Sequence, residues 1–538
     1  MTYLKYIFAT GFAVIFFLLL SYRLDVAPDI HMDEIIYYRT AHNLATTGEF
    51  TWDVNAIFVH PPMQFLTQAF FLSVFGLTDE FRPFQGTYNA RILNALAASL
   101  TAGMLYLLLT DLAGNRAALL SVSLLILDPF VLRINRRNML ESMAEMWVIL
   151  GLYLFWQRRD RLTPSNMLLI GLVFGVALLT KELTIFGFAV LPIFVIIRGR
   201  WTDLRKVAAM GVVAACIWSL FPFWSWSVGQ SDAFFDNKLY NFRRLTGQVQ
   251  VSGWNREGVS FVGALEVNVQ QYATSYALIL ISIFVSFILF FTWRTEASRF
   301  ILAWVGIMYA FFAYSIAGGA LNDQFFYFFL VPVISVIGTG AARWLSYLIL
   351  PKEDSHQAKQ ALILQNIEAL PSILVRIDDG LMRFAHWLAK VGQALSRHQL
   401  LRASLIFLLL AVGVLVQGYN AYRWVKLFAI EQDNALYQLS THIQTTVPPE
   451  TEINSMFEDL ELTLHLMLPN HNLVTLRDPD DIASQEVRYA ILSSKNLWGR
   501  YGRITPDYYE WVKANGEPIF QTYGNTYWQV ELYRLEME

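Results

Sequence analysis

Residues 90–111 read ARILNALAASLTAGMLYLLLTD. This run is apolar over almost its whole length, with one arginine near its start and one aspartate at its end. A helix that crosses the hydrocarbon core of a bilayer needs about 20 mainly apolar residues. The stretch is therefore long enough to predict a transmembrane helix, which makes lipid the solvent for at least part of the chain.

Ten further stretches of the chain read as membrane spans by the same hydropathy criterion. They are 4–22, 116–132, 142–157, 166–180, 183–197, 207–226, 273–293, 300–317, 325–349 and 403–420. We therefore predict a mainly α-helical, polytopic membrane protein of about 11 transmembrane helices. The apolar segment 61–76 is shorter and opens with two prolines, which favours a helix lying at the membrane interface.

The composition of the whole chain points the same way. Of its 538 residues, 55% are hydrophobic and 15% are charged, whereas a soluble domain carries about 25% charged residues. The net charge is −3, whereas a protein that binds nucleic acid usually carries an excess of basic residues. The single cysteine, Cys216, excludes an intrachain disulfide and a metal site built on cysteines.

The basic loops between the predicted helices indicate the sidedness of the chain. Loops rich in arginine and lysine lie in the cytoplasm, and a cytoplasmic N-terminus places segments 23–89, 227–272 and 421–538 outside. Several cations in outer segments depart from this rule, either as ordinary exceptions or because they contact an anionic lipid headgroup. These cations are Arg133, Arg136, Arg137, Lys238, Arg243, Arg244 and Arg256.

The chain divides into four parts by composition. Residues 1–350 form the predicted transmembrane module, which includes a large first outer loop. Segment 351–402 alternates apolar and basic residues, which predicts amphipathic helices at the cytoplasmic interface. Residues 403–420 form the last predicted span. The tail, 421–538, mixes polar residues with short β-rich runs and predicts a small soluble α/β domain on the outer side.

Two adjacent carboxylates follow the first span, at the start of a helical pattern. Asp33 shares a helix face with Tyr37, and Glu34 shares one with Tyr38, since residues four apart are neighbours on a helix. A carboxylate beside aromatic rings at a membrane interface can be partly desolvated, which raises its pKa towards that of a general base. The alternative is that acids in the first turn only complement the helix dipole.

The motifs around these acids occur in a recognisable order. The stretch HMDEIIYY is followed by FVHPP and an apolar run ending in FG, then by YNARILNAL, RRNMLESMAEM, GLVFGVALLTKE and NDQFFYFFLVPVI. Together these motifs, over roughly residues 1–350, resemble the glycosyltransferase C superfamily, among its members the protein O-mannosyltransferases and the bacterial aminoarabinose transferases of lipid A. The family usually has Asp where Glu141 stands here, and the aminoarabinose transferases have lysine where His60 stands.

The resemblance implies a function and a set of site residues. In that family the first-loop acid is the catalytic base, which implies that Asp33 deprotonates the acceptor, with Glu34 beside it in the acceptor site. The donor is a polyprenyl phosphate monosaccharide, and displacement from one face inverts the anomeric carbon. Cations predicted to hold the donor phosphate are Arg91, Arg136, Arg137 and Lys181, and further candidates for the acceptor or donor site are Tyr37, His60 and Glu141.

Each of these assignments has a simpler alternative. Arg137 and Glu141 are spaced for an ion pair within one helix, Lys181 can extend to the interface at a helix end, and a single histidine is more often structural. The acids at 33 and 34 are adjacent, as in the mannosyltransferase branch, which implies that no metal or other cofactor is needed. A divalent ion bound by Asp53, His60 and Glu141 is the alternative.

Two other classes of protein compete with the transferase. A transporter or flippase of a lipid-linked sugar would also place charges near membrane segments, but the chain shows no repeat of hydropathy. A structural scaffold for the tail leaves the first outer loop unexplained. We therefore expect a glycosyltransferase of the prokaryotic plasma membrane, with its site and tail extracytoplasmic. Its partners are the bilayer, a polyprenyl-phosphate donor and a lipid, glycan or protein acceptor.

Overall fold

The computed structural model describes most of the chain. Its described residues are 2–52, 58–249, 261–290, 295–317, 323–349, 411–426 without 412, 414 and 424, 432–455, 464–476, 478–485, 487–494, 506–524 and 526–536. The predicted segment 351–402 and the larger part of the predicted span 403–420 lie outside these residues, as does Asp53.

The prediction of a mainly helical protein is confirmed. In chain order the helices up to residue 349 are α1 Thr2–Ser21, α2 Met32–Thr46, α3 Met63–Val74, α4 Pro83–Ala113, α5 Asn115–Leu127, α6 Pro129–Asn135, α7 Leu140–Arg158, α8 Pro164–Thr180, α9 Ile185–Arg198, α10 Leu204–Trp218, α11 Leu220–Ser227, α12 Ser231–Leu245, α13 Phe261–Phe290, α14 Glu296–Ala317 and α15 Asp323–Ile349. Short 3-10 turns lie at Glu182–Thr184 and Trp201–Asp203.

Several of these helices are long and apolar enough to cross a membrane. Within the described residues there are five, at Tyr3–Ser21, Pro83–Ala113, Trp201–Ser227, Glu296–Ala317 and Phe325–Arg343, or six if α5 and α6 together form one span. Shorter apolar helices lie at Met63–Val74, Pro164–Thr180 and Tyr272–Phe287. The chain is thus a multi-pass membrane protein, while the total of 11 spans stays a prediction.

The predicted span 116–132 is bent rather than straight. Helices α5 and α6 meet at an angle of 66°, and Asp128 lies between them as the N-cap of α6. Its Oδ1 atom accepts hydrogen bonds from the backbone N–H groups of Phe130, at 2.9 Å, and Val131, at 3.0 Å. Pro129 has no N–H to leave unpaired at the first position of a helix. The Asp-Pro pair therefore ends one helix and begins the next.

Helix α2 is seated against α4 at a glycine. A Cβ atom built on Gly86 would lie 1.9 Å from Cζ of Tyr38. Tyr38 is itself buried and stacked on Phe81, so its ring has little room to move. The small residue at 86 therefore allows α2, which carries both acids, to lie close to the long helix α4.

We expect Gly86→Ala to lower the thermal unfolding midpoint, because overpacking of a buried contact costs about 1–3 kcal/mol. The matched control is Gly306→Ala in α14, where a new Cβ meets nothing within 4 Å. Alanine there gains helix propensity, so that midpoint should stay or rise. Equal midpoints for Gly86→Ala and the unaltered protein would contradict the tight seating of α2.

The described part of the tail forms a sheet with helices beside it. Its strands are β1 Glu452–Asn454, β2 Asn472–Val474, β3 Tyr489–Ser493, β4 Gly516–Gly524 and β5 Trp528–Leu535, and its helices are α16 Ala435–Thr446, α17 Pro479–Ser484 and α18 Pro506–Asn515. The strand order is β2-β1-β3-β5-β4, with β1 parallel to both neighbours and the other pairs antiparallel. Strands β1, β2, β3 and β5 overlap the β-rich runs INSMF, LVTLR, VRYAILSS and YWQVELYRL of the predicted tail.

Candidate active site

Helix α2 begins at a capped N-terminus that presents the two acids. Nδ1 of His31 accepts a hydrogen bond from the backbone N–H of Asp33 at 3.3 Å, and the N–H of His31 donates to Oε2 of Glu34 at 2.9 Å. Such reciprocal bonds satisfy N–H groups that lack a partner inside the helix. Successive helical residues point about 100° apart, so the two acids have different surroundings.

Glu34 is fully buried and bound by protein groups on both oxygens. Arg91 of α4 donates to it twice, from Nε at 2.8 Å and from Nη2 at 2.9 Å, and the backbone N–H of Asn138 donates at 2.7 Å. Burial by itself raises the pKa of Glu34, but Arg91 outweighs it and holds the pKa below the usual range. The structure thus brings Glu34 and Arg91 together as a pair that joins α2, α4 and the turn before α7.

Arg136 is also bound within the protein. Its guanidinium donates to the backbone carbonyls of Leu20 and Tyr22 at 2.8 Å each, of Arg23 at 3.0 Å and of Ala27 at 2.8 Å. The last carbonyls of a helix have no partner inside it, and a cation at that end also complements the helix dipole. Arg136 therefore caps α1, and this leaves few of its donors for a ligand.

The Asp33 side of α2 has a different character. The Asp33 side chain is 21% exposed. One turn further along α2, the hydroxyl of Tyr37 forms a 3.0 Å hydrogen bond with Nε2 of His60, and the two rings meet edge to face. Burial raises the pKa of Tyr37 well above its usual value, and the negative charges of Asp33 and Glu141 raise it further. Tyr37 is therefore a neutral phenol that feels the charge of the partly exposed Asp33 carboxylate.

Three cations act on His60 through their charges. Burial lowers the pKa of His60 well below its usual value, and the charges of Lys181, Lys238 and Arg244 lower it further. The imidazole is therefore neutral at pH 7, and the positive charge of this region comes from the three neighbours. We call Asp33, Tyr37, His60, Lys181, Lys238 and Arg244 the Asp33 cluster.

Acidic partners hold two of these cations in place. Lys181 donates a hydrogen bond to Oε1 of the buried Glu141, and Lys238 lies 2.7 Å from Glu182. Glu141 thus pairs with Lys181 rather than with Arg137, the partner that helical spacing offered. Oε2 of Glu141 has no hydrogen-bond partner among the described residues, so this carboxylate keeps an acceptor for a ligand.

Lys238 and Arg244 were not among the predicted site residues, although contact with an anionic lipid headgroup was one of two interpretations of these outer cations. Lys238 and Asn241 of α12 donate to the backbone carbonyl of Val59, at 3.4 Å and 2.8 Å. The spacing of three between them, on a helix that follows a span, was the available signal. Helix α12 thereby fixes the loop that carries His60.

Arg137 and Lys181 have different neighbours. Its guanidinium is buried and donates to Oγ1 of Thr526 in the tail at 3.4 Å, while its charge acts on Glu34. Lys181 has Glu141, Phe325 and His60 as neighbours. Of the four cations predicted to hold one phosphate, Arg91 and Arg136 are used within the protein, and the other two have different neighbours.

The described residues contain no group of three or more His, Cys, Asp or Glu side chains that could hold a metal ion. Of the candidate ligands for a divalent ion, His60 forms a hydrogen bond with Tyr37, and the charge of Glu141 acts on Tyr37. The third, Asp53, lies outside the described part of the chain. Metal independence therefore stays a prediction.

Comparison with known proteins gives a family match to part of the chain and a similar fold over almost all of it. The sequence profile of the dolichyl-phosphate-mannose-protein mannosyltransferase family matches residues 59–226. The fold is similar to that of ArnT from Cupriavidus metallidurans, in a crystal structure bound to undecaprenyl phosphate: the TM-score is 0.56 and the identity 17%, with 98% of this chain and 97% of that chain covered.

An archaeal structure has a similar fold. It is the oligosaccharyltransferase AglB from Archaeoglobus fulgidus, in complex with an inhibitory peptide and a dolichol-phosphate. The TM-score is 0.53 and the identity 12%, with 98% of this chain and 74% of that chain covered. The profile match and the two folds confirm the resemblance to the glycosyltransferase C superfamily that the motifs predicted.

Proposed function

We propose that this chain, with its glycosyltransferase C fold, is a membrane glycosyltransferase that moves a monosaccharide from a polyprenyl-phosphate carrier to an extracytoplasmic acceptor. The observation that carries this proposal is the Asp33 cluster, in which Tyr37 and its hydrogen-bond partner His60 link the partly exposed carboxylate of Asp33 to three cations. Two proteins of similar fold support the choice of donor, since their structures contain undecaprenyl phosphate and dolichol-phosphate.

The proposed reaction is a single displacement. Asp33 removes the proton of the acceptor hydroxyl while that oxygen forms a bond to the anomeric carbon of the sugar. The bond from the anomeric carbon to the phosphate oxygen breaks, and its electron pair leaves with the polyprenyl phosphate. Because the nucleophile enters opposite the leaving group, the anomeric configuration inverts. General-base catalysis of this kind contributes roughly 10²–10⁴-fold in rate.

The cations act on the leaving group. As the bond breaks, the phosphate gains one negative charge, and fixed positive groups stabilise that charge more in the transition state than in the ground state. Lys181, Lys238 and Arg244 have this role in the proposal. The neutral His60 and Tyr37 are hydrogen-bonding groups between the base and these cations, and they position the sugar or the acceptor hydroxyl.

The organisation of the chain belongs to the same proposal. It has about 11 transmembrane helices, a transmembrane catalytic module over 1–350, a cytoplasmic amphipathic segment over 351–402, a last span over 403–420 and an outer α/β domain over 421–538. The Asp33 cluster and the tail then lie on the extracytoplasmic side of a prokaryotic plasma membrane. Contacts of the tail with residues just after α1, such as the N–H of Asp433 donating to the carbonyl of Val26 at 3.0 Å, support a common side.

We expect Lys181→Met to weaken the binding of undecaprenyl phosphate to the purified full chain by about tenfold or more, because a charge-assisted contact to phosphate contributes about 1.5–3 kcal/mol. Stabilisation against thermal unfolding, followed as a function of lipid concentration, measures this affinity. The matched control is Lys206→Met, whose lysine is 44% exposed and pairs with Asp203.

The unaltered protein and Lys206→Met should respond equally to the lipid. A lack of stabilisation of the unaltered chain by undecaprenyl phosphate would count against the proposed donor. An equal response of Lys181→Met would remove Lys181 from the phosphate site and leave Lys238 and Arg244 to be replaced in turn.

A further inference from the structure

The Arg137 guanidinium has too few partners for its burial. The side chain is 4% exposed, and a guanidinium carries five N–H donors. Among the described residues its hydrogen bonding consists of the 3.4 Å contact from Nη2 to Thr526, and its Nε has no partner. Buried charges are normally paired and hydrogen-bonded. Most N–H donors of Arg137 therefore have no acceptor among the described residues, and they are available to a ligand.

The nearby carboxylates do not accept these hydrogen bonds, since Asp433 is linked to Arg137 only through the hydroxyl of Thr526. Glu34 acts on Arg137 through its charge, but its oxygens are bound by Arg91 and by the N–H groups of His31 and Asn138. Arg133, which donates to the hydroxyl of Tyr272, adds a second positive charge. Burial, and after it the charge of Arg133, lowers the pKa of Arg137. An anion bound here would offset both effects.

Residues of the tail lie beside the Arg137 guanidinium. Asp433 fixes Thr526 by accepting hydrogen bonds from its backbone N–H at 2.9 Å and from its hydroxyl at 2.7 Å. The hydroxyl of the next residue, Tyr527, donates to the carbonyl of Ile30 at 2.9 Å, just before α2. The turn between β4 and β5 is therefore attached to the loop that precedes α2. The same turn places Thr526 in contact with Arg137.

We propose that Arg137, positioned by its contact with Thr526, forms a second anion site, which binds a phosphate or carboxylate group carried by the acceptor. This inference rests on the proposed function. The donor carries one phosphate, which the proposed function places beside Asp33. Arg137 instead lies on the side of α2 that carries Glu34, whose charge acts on it. The acceptor enters from the outer side, where the tail meets the membrane module. The transferase thus selects an acceptor that is anionic near its reacting hydroxyl.

Inorganic phosphate tests the site when the donor site is already occupied. The purified full chain is saturated with undecaprenyl phosphate, and phosphate is then titrated at constant ionic strength while thermal unfolding is followed. We expect a further rise of the midpoint in the unaltered chain and its loss in Arg137→Gln, with about tenfold or greater weakening of phosphate binding. Arg82→Gln is the matched control, since Arg82 is a 70% exposed arginine of the first outer loop.

Thr526 is tested as a positioning residue in the same assay. We expect Thr526→Val to weaken phosphate binding several-fold and Thr526→Ser to restore it, because serine keeps the hydroxyl that faces Arg137 and Asp433. A purely structural role of Thr526 would lower the midpoint without phosphate and leave the affinity for phosphate unchanged. Sodium acetate titrated in the same way distinguishes a carboxylate site from a phosphate site.

Two outcomes overturn the proposal. One is the absence of any response to phosphate or acetate in the lipid-saturated unaltered chain. The other is loss of undecaprenyl phosphate binding in Arg137→Gln, which would place Arg137 in the donor site. Failure of the proposed function has a different signature, since the unaltered chain would then not respond to the lipid at all. The comparison of Arg137→Gln with the unaltered chain in phosphate alone still tests the anion site in that case.

Discussion

Replacement of Asp33 by asparagine is expected to abolish sugar transfer in a protein that still folds and inserts. The amide keeps the size of the side chain and can still form hydrogen bonds, but it cannot accept the proton of the acceptor hydroxyl. Loss of a general base costs roughly 10²–10⁴-fold in rate. The Asp33 side chain is 21% exposed, whereas that of Glu34 is fully buried, so we expect the change at 33 to disturb folding less than a change at 34.

The measurement is a complementation experiment. Mass spectrometry of membrane lipids and glycans compares cells that lack the gene with cells that carry the unaltered gene or a variant. Asp33→Asn should leave the transferred sugar absent, while Asp79→Asn, which alters an exposed acid of the same outer loop, should restore it. Undiminished transfer by Asp33→Asn, at a normal level of protein in the membrane, would refute the role of Asp33 as the base.

Replacement of Glu34 by glutamine should instead affect the fold. The change leaves the buried guanidinium of Arg91 without its counter-charge, and breaking a buried pair in this way costs about 3–5 kcal/mol. We expect a strongly lowered unfolding midpoint and little protein in the membrane. The matched comparison is the double variant Glu34→Gln with Arg91→Met, which removes both charges and should recover part of the loss.

The pair also predicts the direction of the pH dependence of stability. Arg91 holds the pKa of Glu34 below its usual range in the folded protein, and the unfolded value for Glu is about 4.3. The contribution of Glu34 to the free energy of unfolding is therefore fully present above the unfolded pKa and is lost as the pH falls through the folded pKa.

A Glu34→Gln protein with an unchanged unfolding midpoint and lost activity would contradict the structural role of Glu34 and make it a catalytic residue.

Helix α2 shows how far the sequence could go. The i, i+4 spacing placed Asp33 with Tyr37 and Glu34 with Tyr38, and the structure keeps both pairs on separate sides of one helix. The motif could not tell which acid is buried, because that depends on Arg91, which lies 57 positions along the chain. The same limit applied to Arg136, whose partners are carbonyls more than 100 residues earlier.

The bend at Asp128 was within reach of the sequence. An Asp-Pro pair combines an N-cap residue with one that favours the first helical position, and this signal lies inside the predicted span 116–132. The hydropathy criterion averages over about 20 residues, so it did not register the single Asp-Pro pair inside the span. The attachment of the turn between β4 and β5 to residues before α2 was not within reach, because no local pattern links Tyr527 to a carbonyl about 500 positions away.

By itself, the sequence determined the class of solvent, the helical character and the order of motifs that resembles the glycosyltransferase C superfamily. These properties follow from hydropathy, helical periodicity and local spacing, which are carried by neighbouring residues. Only the tertiary structure decided which charges the protein uses for its own stability and which it leaves for a ligand. A charge is neutralised by whatever lies within a few ångströms of it, and in this chain those groups come from helices and loops distant in sequence.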